Sequence, residues 1–178
     1  MWMSGYANRT KPSEGVASDL FAKALALEAV DGRRFVFVTC DLIGIPRTLR
    51  EGVAADVAAK YSLPPEALLL NASHTHCGPE FRVSGGSVQD DDERQRQGRR
   101  YGDQLQAMLV DLVGRALDEL APAKVAYVKA RCGFAMNRRT PSDAGYKNHP
   151  WSEGPVDHDV PVLRVIGELG GTVCYLTA

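Results

Sequence analysis

Apolar and polar positions along the chain alternate between strand-like and helix-like patterns. Residues 35–40, Phe-Val-Phe-Val-Thr-Cys, form a strongly β-type run, and the Ala/Leu-rich stretch from Ala22 reaches it through Asp31-Gly32. Asp-Gly between two apolar runs is the signature of a type I′ hairpin turn, so two strands are expected despite the helical propensity of the first. Leu49, Val53 and Val57 recur at i, i+4 and i+8 ahead of Leu63-Pro64-Pro65, which predicts a helix over 48–61. The short apolar segment 67–73 is bounded by turn formers and has the length of a buried strand.

Residues 78–89 are rich in Gly, Pro and Ser and read as a loop. The clearest element follows. Tyr101, Leu105, Met108, Leu109, Leu112, Val113, Ala116, Leu117 and Leu120 make one stripe with the helical period. The charge run at its start, Asp90 to Arg96, is best explained by acids favouring a helix N-terminus and by i,i+4 pairs Asp90/Arg94 and Asp92/Arg96. Ala121-Pro122 ends the helix, residues 124–129 read as a strand, and residues 133–155 show no sustained period and read as a long ordered loop. Residues 160–166 and 172–176 form a closing strand pair across a Gly-containing connection. Strands alternating with helices, with at least one hairpin, predict an α/β fold in which helices layer onto a mixed sheet, in a single domain.

Composition narrows the function classes. With Lys+Arg 21 against Asp+Glu 22 the formal charge is −1, so no global field draws in nucleic acid or an anionic membrane. No apolar run approaches the ~20 residues of a membrane span, and the first residues lack the apolar core of a secretory signal. Cys40, Cys77, Cys132 and Cys174 contain no C-x-x-C pair, which removes zinc-ribbon and thioredoxin-type sites. Parity alone allows two disulfides, whereas the apolar strand-like runs around Cys40 and Cys174 favour free thiols serving as small hydrophobes.

Two of the four histidines fall in Ser73-His74-Thr75-His76-Cys77-Gly78-Pro79. On a strand, residues i and i+2 face the same side, so these imidazoles are expected to converge at a strand end, where α/β sheets bind ligands. Imidazole is a standard zinc ligand, but a catalytic zinc needs about three protein ligands and an open position. Asp41, ending the 35–40 strand, is a candidate to hold an imidazole in one tautomer or, equally, to cap a loop. Asp157, in Asp157-His158-Asp159, is a possible ligand but fits a strand-entry turn better, and His149 before Pro150 reads as a surface residue. Cys77 is adjacent to His76 and on an extended chain faces away from it, which disfavours a Cys/His nucleophile. No G-x-S-x-G elbow or phosphate-binding glycine loop occurs. Asn137-Arg138-Arg139 is the remaining candidate, an arginine of the type that stabilises developing negative charge.

Ser4-Gly5-Tyr6-Ala7, the Asp41-ended strand, His74-Thr-His-Cys-Gly-Pro79 and Asn137-Arg138 occur in one order. Over essentially the whole chain that set resembles the neutral (non-lysosomal) ceramidases, zinc-dependent amidohydrolases that cleave N-acylsphingosine into a fatty acid and sphingosine. The resemblance implies Zn2+ as cofactor, His74 as a zinc ligand, and His76 and Arg138 facing the scissile carbonyl. In the family the zinc site is completed by a histidine, a glutamate and a tyrosine further along the chain. The expectation is therefore the N-terminal part of a catalytic domain, whose partners are a small amide or lipid substrate and the remainder of its own domain, with little activity alone. Cys77 stands where the lipid-cleaving relatives usually have a different small residue. A zinc hydrolase of a non-lipid amide or ester therefore stays open, as does a non-catalytic module with structural histidines.

Overall fold

The computed structural model describes residues 1–6, 8–81, 92–168 and, for the backbone, 172–177, grouped into two compact units, Met1–Leu120 and Ala121–Ala178. In the first, β1 (Ala22–Glu28) pairs antiparallel with β2 (Arg34–Cys40), and β2 pairs parallel with β3 (Leu68–Ala72). The sheet order is β1-β2-β3, a mixed sheet. Helix α1 (Arg47–Tyr61) makes the crossover between the two parallel strands, and α2 (Glu93–Asp118) follows.

The core lies between this sheet and its helices. Every second residue of β2, Val36, Val38 and Cys40, is buried, as period-2 geometry requires of a strand with one covered face. They form one cluster with Leu49, Val53 and Val57 of α1 and Leu105, Leu109 and Val113 of α2. The i, i+4, i+8 triad predicted for α1 is thus its buried face. In α2 the stripe is buried at Leu105, Leu109 and Val113, while Met108 lies at its margin and is 55% exposed.

Three expectations are corrected. Gly32 is not the second centre of a type I′ turn. The Gly32 N–H donates to the Ala29 carbonyl at 2.9 Å, so Val30 and Asp31 are the central residues, and Asp31 lacks the positive φ that type I′ demands. Gly32 follows at φ 81°, the left-handed residue of a bulged hairpin. At the start of α2, Asp92 accepts a bond from the Gln95 N–H at 2.8 Å and is the N-cap, while Arg96 bonds Glu93 at 3.1 Å. Asp90 lies outside the described residues, as does most of the expected 78–89 loop.

The third correction is in the second unit. Its main sheet, β4 (Ala123–Arg131), β7 (Asp159–Gly167) and β8 (Thr172–Thr177), runs antiparallel in the order β4-β7-β8, with the closing strand pair where the sequence predicts it. The stretch 133–155, however, is largely a hairpin, β5 (Asn137–Ser142) against β6 (Gly145–Trp151), closed by the two-residue turn Asp143-Ala144 and interrupted by a register shift at Arg139. Both strands are mostly exposed, so neither has a covered face to impose an apolar alternation.

Candidate active site

β3 delivers the chain to the histidines but does not contain them. The strand ends at Ala72, and His74 takes φ 60°, a left-handed conformation that is uncommon outside glycine although His is among the residues enriched there. The two imidazoles do converge, as expected, but by this reversal of the backbone and the turn at His76-Cys77 rather than by alternation along a strand. Their Nε2 atoms are 3.4 Å apart, with ring centroids at 5.0 Å and ring planes at 79°.

The partner of His74 fixes its tautomer. Its Nδ1–H donates to the backbone carbonyl of Ile43 at 2.6 Å, which leaves a lone pair on Nε2. A backbone carbonyl therefore does what Asp41 was a candidate to do. Asp41 instead ties two backbone segments together: its Oδ2 accepts from the Phe21 N–H at 3.0 Å, and its own N–H donates to the Phe21 carbonyl at 2.9 Å. Nothing in the local sequence distinguishes Ile43. Its role follows from where the β2–α1 connection passes the end of β3.

His76 is held by the N-terminal segment. Ser4 donates twice to the histidine loop, through its N–H to the Gly78 carbonyl at 2.9 Å and through Oγ to the Pro79 carbonyl at 3.0 Å. Met3 bridges Pro79, and the Glu80 N–H donates to the Trp2 carbonyl at 2.8 Å. Arg94 reinforces this clasp, with its guanidinium 4.1 Å from the centre of the Trp2 ring and its Nε bonded to Glu80 at 2.7 Å. Gly5 and Tyr6 are thereby laid against the His76 ring, Tyr6 edge-on at 4.7 Å. Ser4-Gly5-Tyr6 and His74–Pro79, some seventy residues apart in sequence, are one structural unit.

The arrangement can hold a metal in part. The Nε2 lone pair of His74 is available to a zinc ion, and Nε2 of His76 lies 3.4 Å from it. Among the described residues no group of three or more His, Cys, Asp or Glu side chains is placed to hold a metal ion. A hollow of about 230 Å³ lined by Ser4, Ile43, Gly44, Ile45, Pro46 and Phe81 adjoins the pair through Ser4 and Ile43. A larger, mainly apolar groove of about 530 Å³ runs along α2 past Phe21, Leu42, Tyr101 and Met108; Asp41 lines it and neither histidine does.

The other candidates belong to the second unit. Asn137 is a backbone brace, donating from Nδ2 to the Pro155 carbonyl and accepting from the Arg139 N–H, both at 2.8 Å. Arg138 is exposed on β5, with Nε bonded to Asn148 Oδ1 at 3.0 Å. Asp157 accepts from the Asp159 N–H at 2.8 Å, the turn role that leads into β7. His158 bonds the Cys132 carbonyl through Nδ1 at 3.1 Å, and His149 bonds the carbonyl of Pro150. Cys77 is exposed, and its N–H is taken by Thr75 Oγ1 at 3.2 Å.

Residues 1–167 match the family model described as neutral/alkaline non-lysosomal ceramidase, N-terminal. The neutral ceramidase of Pseudomonas aeruginosa is 27% identical over 190 aligned positions, covering 97% of this chain and 27% of that protein. The crystal structure of neutral ceramidase from that organism superimposes with a TM-score of 0.71 at 24% identity, over 98% of this chain and 28% of the other. A ceramidase complexed with C2 gives a TM-score of 0.68 at the same identity. The fold is therefore shared. The chain spans about a quarter of the length of these relatives.

Proposed function

The chain belongs to the neutral/alkaline non-lysosomal ceramidase family, a family of hydrolases, and from that premise we propose that it supplies part of a zinc-dependent amidohydrolase site acting on N-acylsphingosine. The observation that carries the reading is the histidine pair, with Nε2 atoms 3.4 Å apart and the His74 lone pair presented by the Ile43 carbonyl.

On this reading His74 holds the zinc through Nε2. Among the described residues no group of three or more His, Cys, Asp or Glu completes the set, and on the family resemblance a further histidine, a glutamate and a tyrosine would do so. When bound, zinc supplies a Lewis acid and a water whose pKa falls to ~7. The residues of this chain do the rest of the local work. With Nδ1 of His74 committed to Ile43, the proton between the two rings belongs to His76 Nε2. Once the His74 lone pair is engaged, that N–H is free to donate to an amide carbonyl oxygen and to the oxyanion that develops there. The family resemblance implies a share for Arg138 in the same charge stabilisation. The Ile43 carbonyl keeps His74 from rotating and makes its free nitrogen a better ligand.

The test is metal content and hydrolysis in the intact protein. Wild type should bind zinc and release fatty acid from N-acylsphingosine. His74→Ala should lose both. His76→Ala should keep its zinc while kcat falls on the order of 10²–10³-fold, the usual cost of one oxyanion donor. Zinc content unaffected by His74→Ala would overturn the assignment, and preference for a short N-acyl amine would move the substrate from lipid to non-lipid amides.

A further inference from the structure

We propose that the Gly5-Tyr6 segment is a positioning device that fixes the ring plane of His76 and keeps its proton on Nε2, toward the reacting carbonyl. The inference rests on the reading of His76 given above. Its physical basis is the N-terminal clasp.

Two contacts hold the ring. Gly5, at φ 78°, lies flat against it: a Cβ at this position would stand 2.5 Å from His76 Cγ and 2.6 Å from Nδ1. No side chain can be accommodated without displacing the imidazole, so glycine is required by space as well as by conformation. Tyr6 adds an edge-to-face contact with the same ring at 4.7 Å. Tyr6 is itself held at φ 48°, a costly conformation for a bulky residue. Arg9 supports it, with its guanidinium 5.0 Å from the Tyr6 ring centre and its Nη1 donating to the Ser4 carbonyl at 3.0 Å.

The consequence for the proton comes from what the ring lacks. His76 Nδ1 is buried and has no hydrogen-bond partner among the described residues. An N–H placed there would be a buried donor without an acceptor, whereas an N–H on Nε2 points into the gap between the two rings, where a substrate carbonyl oxygen can accept it. Apolar shielding by Gly5 and Tyr6 therefore selects the tautomer, in the way that the hydrogen bond His74 donates to the Ile43 carbonyl selects that of His74. The two histidines are oriented by different devices, one by a partner and one by the absence of any.

The experiment uses the intact chain with ring-labelled histidine and reads the nitrogen tautomer pattern and the ring C–H shifts of His76 by NMR, alongside kcat and KM for amide hydrolysis. Gly5→Ala and Tyr6→Leu should each move the His76 ring signals and lower kcat on the order of 10²-fold with KM little changed, the scale expected when a reacting group is misplaced by about 1 Å. Tyr6→Phe keeps the ring edge and should restore both readouts. If Gly5→Ala does not fold, the Tyr6 pair decides alone, since Tyr6 is a surface residue at 58% exposure. Unchanged His76 signals in Tyr6→Leu would overturn the proposal, as would failure of Tyr6→Phe to restore them. Displaced ring signals with unaltered kcat would leave the positioning intact and refute instead the assignment of His76 to the reaction.

Discussion

Replacing Leu109 by alanine removes a side chain that is 1% exposed and lies in the cluster joining α2 to α1 and the sheet. The neighbouring Met108 belongs to the same sequence stripe but is 55% exposed. Burial separates the two. A Leu→Ala change in a closed core loses the transfer free energy of its methyl groups and leaves a cavity, together 2–5 kcal/mol, and about 3 kcal/mol is a fair centre. Against a total stability of roughly 5–15 kcal/mol this is a large fraction. For a unit the size of Met1–Leu120 it corresponds to about 10–15 °C in Tm. Met108→Ala should cost less than ~1 kcal/mol, because much of that side chain already meets water. Circular dichroism at 222 nm isolates the effect, since both α-helices among the described residues lie in the first unit. The consequence also reaches the site, because α2 packs on the sheet whose β2 leads directly into Asp41 and Ile43. Equal losses for the two variants, or a loss below ~1 kcal/mol for Leu109→Ala, would refute the assignment of this helix face to the core.

Three further outcomes are expected. Cys77 is exposed and Cys40 buried, and burial, with Asp41 adjacent, pushes the Cys40 thiol up to about 11 from an ordinary 9.0. At pH 8 iodoacetamide should therefore label Cys77 and spare Cys40. Because the folded value is the raised one, the stability gained from keeping this thiol neutral is complete below about pH 9 and is lost as pH climbs toward 11; a denaturation midpoint that did not fall over that interval would contradict the burial. Asp92→Ala removes the cap of α2 and should cost about 1 kcal/mol, with faster hydrogen exchange at the Gln95 amide; unaltered exchange there would place the cap elsewhere.

What the sequence made legible follows from where the fold has one covered face. β2 and the two helices announced themselves because water on one side and a core on the other impose a period. β5 and β6 have little burial on either side, so Asn137–Trp151 carried no period and read as a loop. The histidine pair was legible as chemistry, through two imidazoles near an apolar strand end, but not as geometry: the left-handed His74 has no clear local signature. The Ile43 carbonyl and the Gly5 backbone act through atoms that every residue possesses, so their roles cannot be read from residue type. Ser4-Gly5-Tyr6 was visible only as part of a family resemblance, because its contact with His76 is long-range and exists only once the chain has folded.

The most direct test of the account is a zinc-edge anomalous difference map from crystals of the intact protein grown with zinc. The account predicts a peak about 2.0–2.1 Å from Nε2 of His74, with Nδ1 of that ring still on the Ile43 carbonyl and Nε2 of His76 left free to donate. A peak bound through other residues, or none near His74, would contradict it.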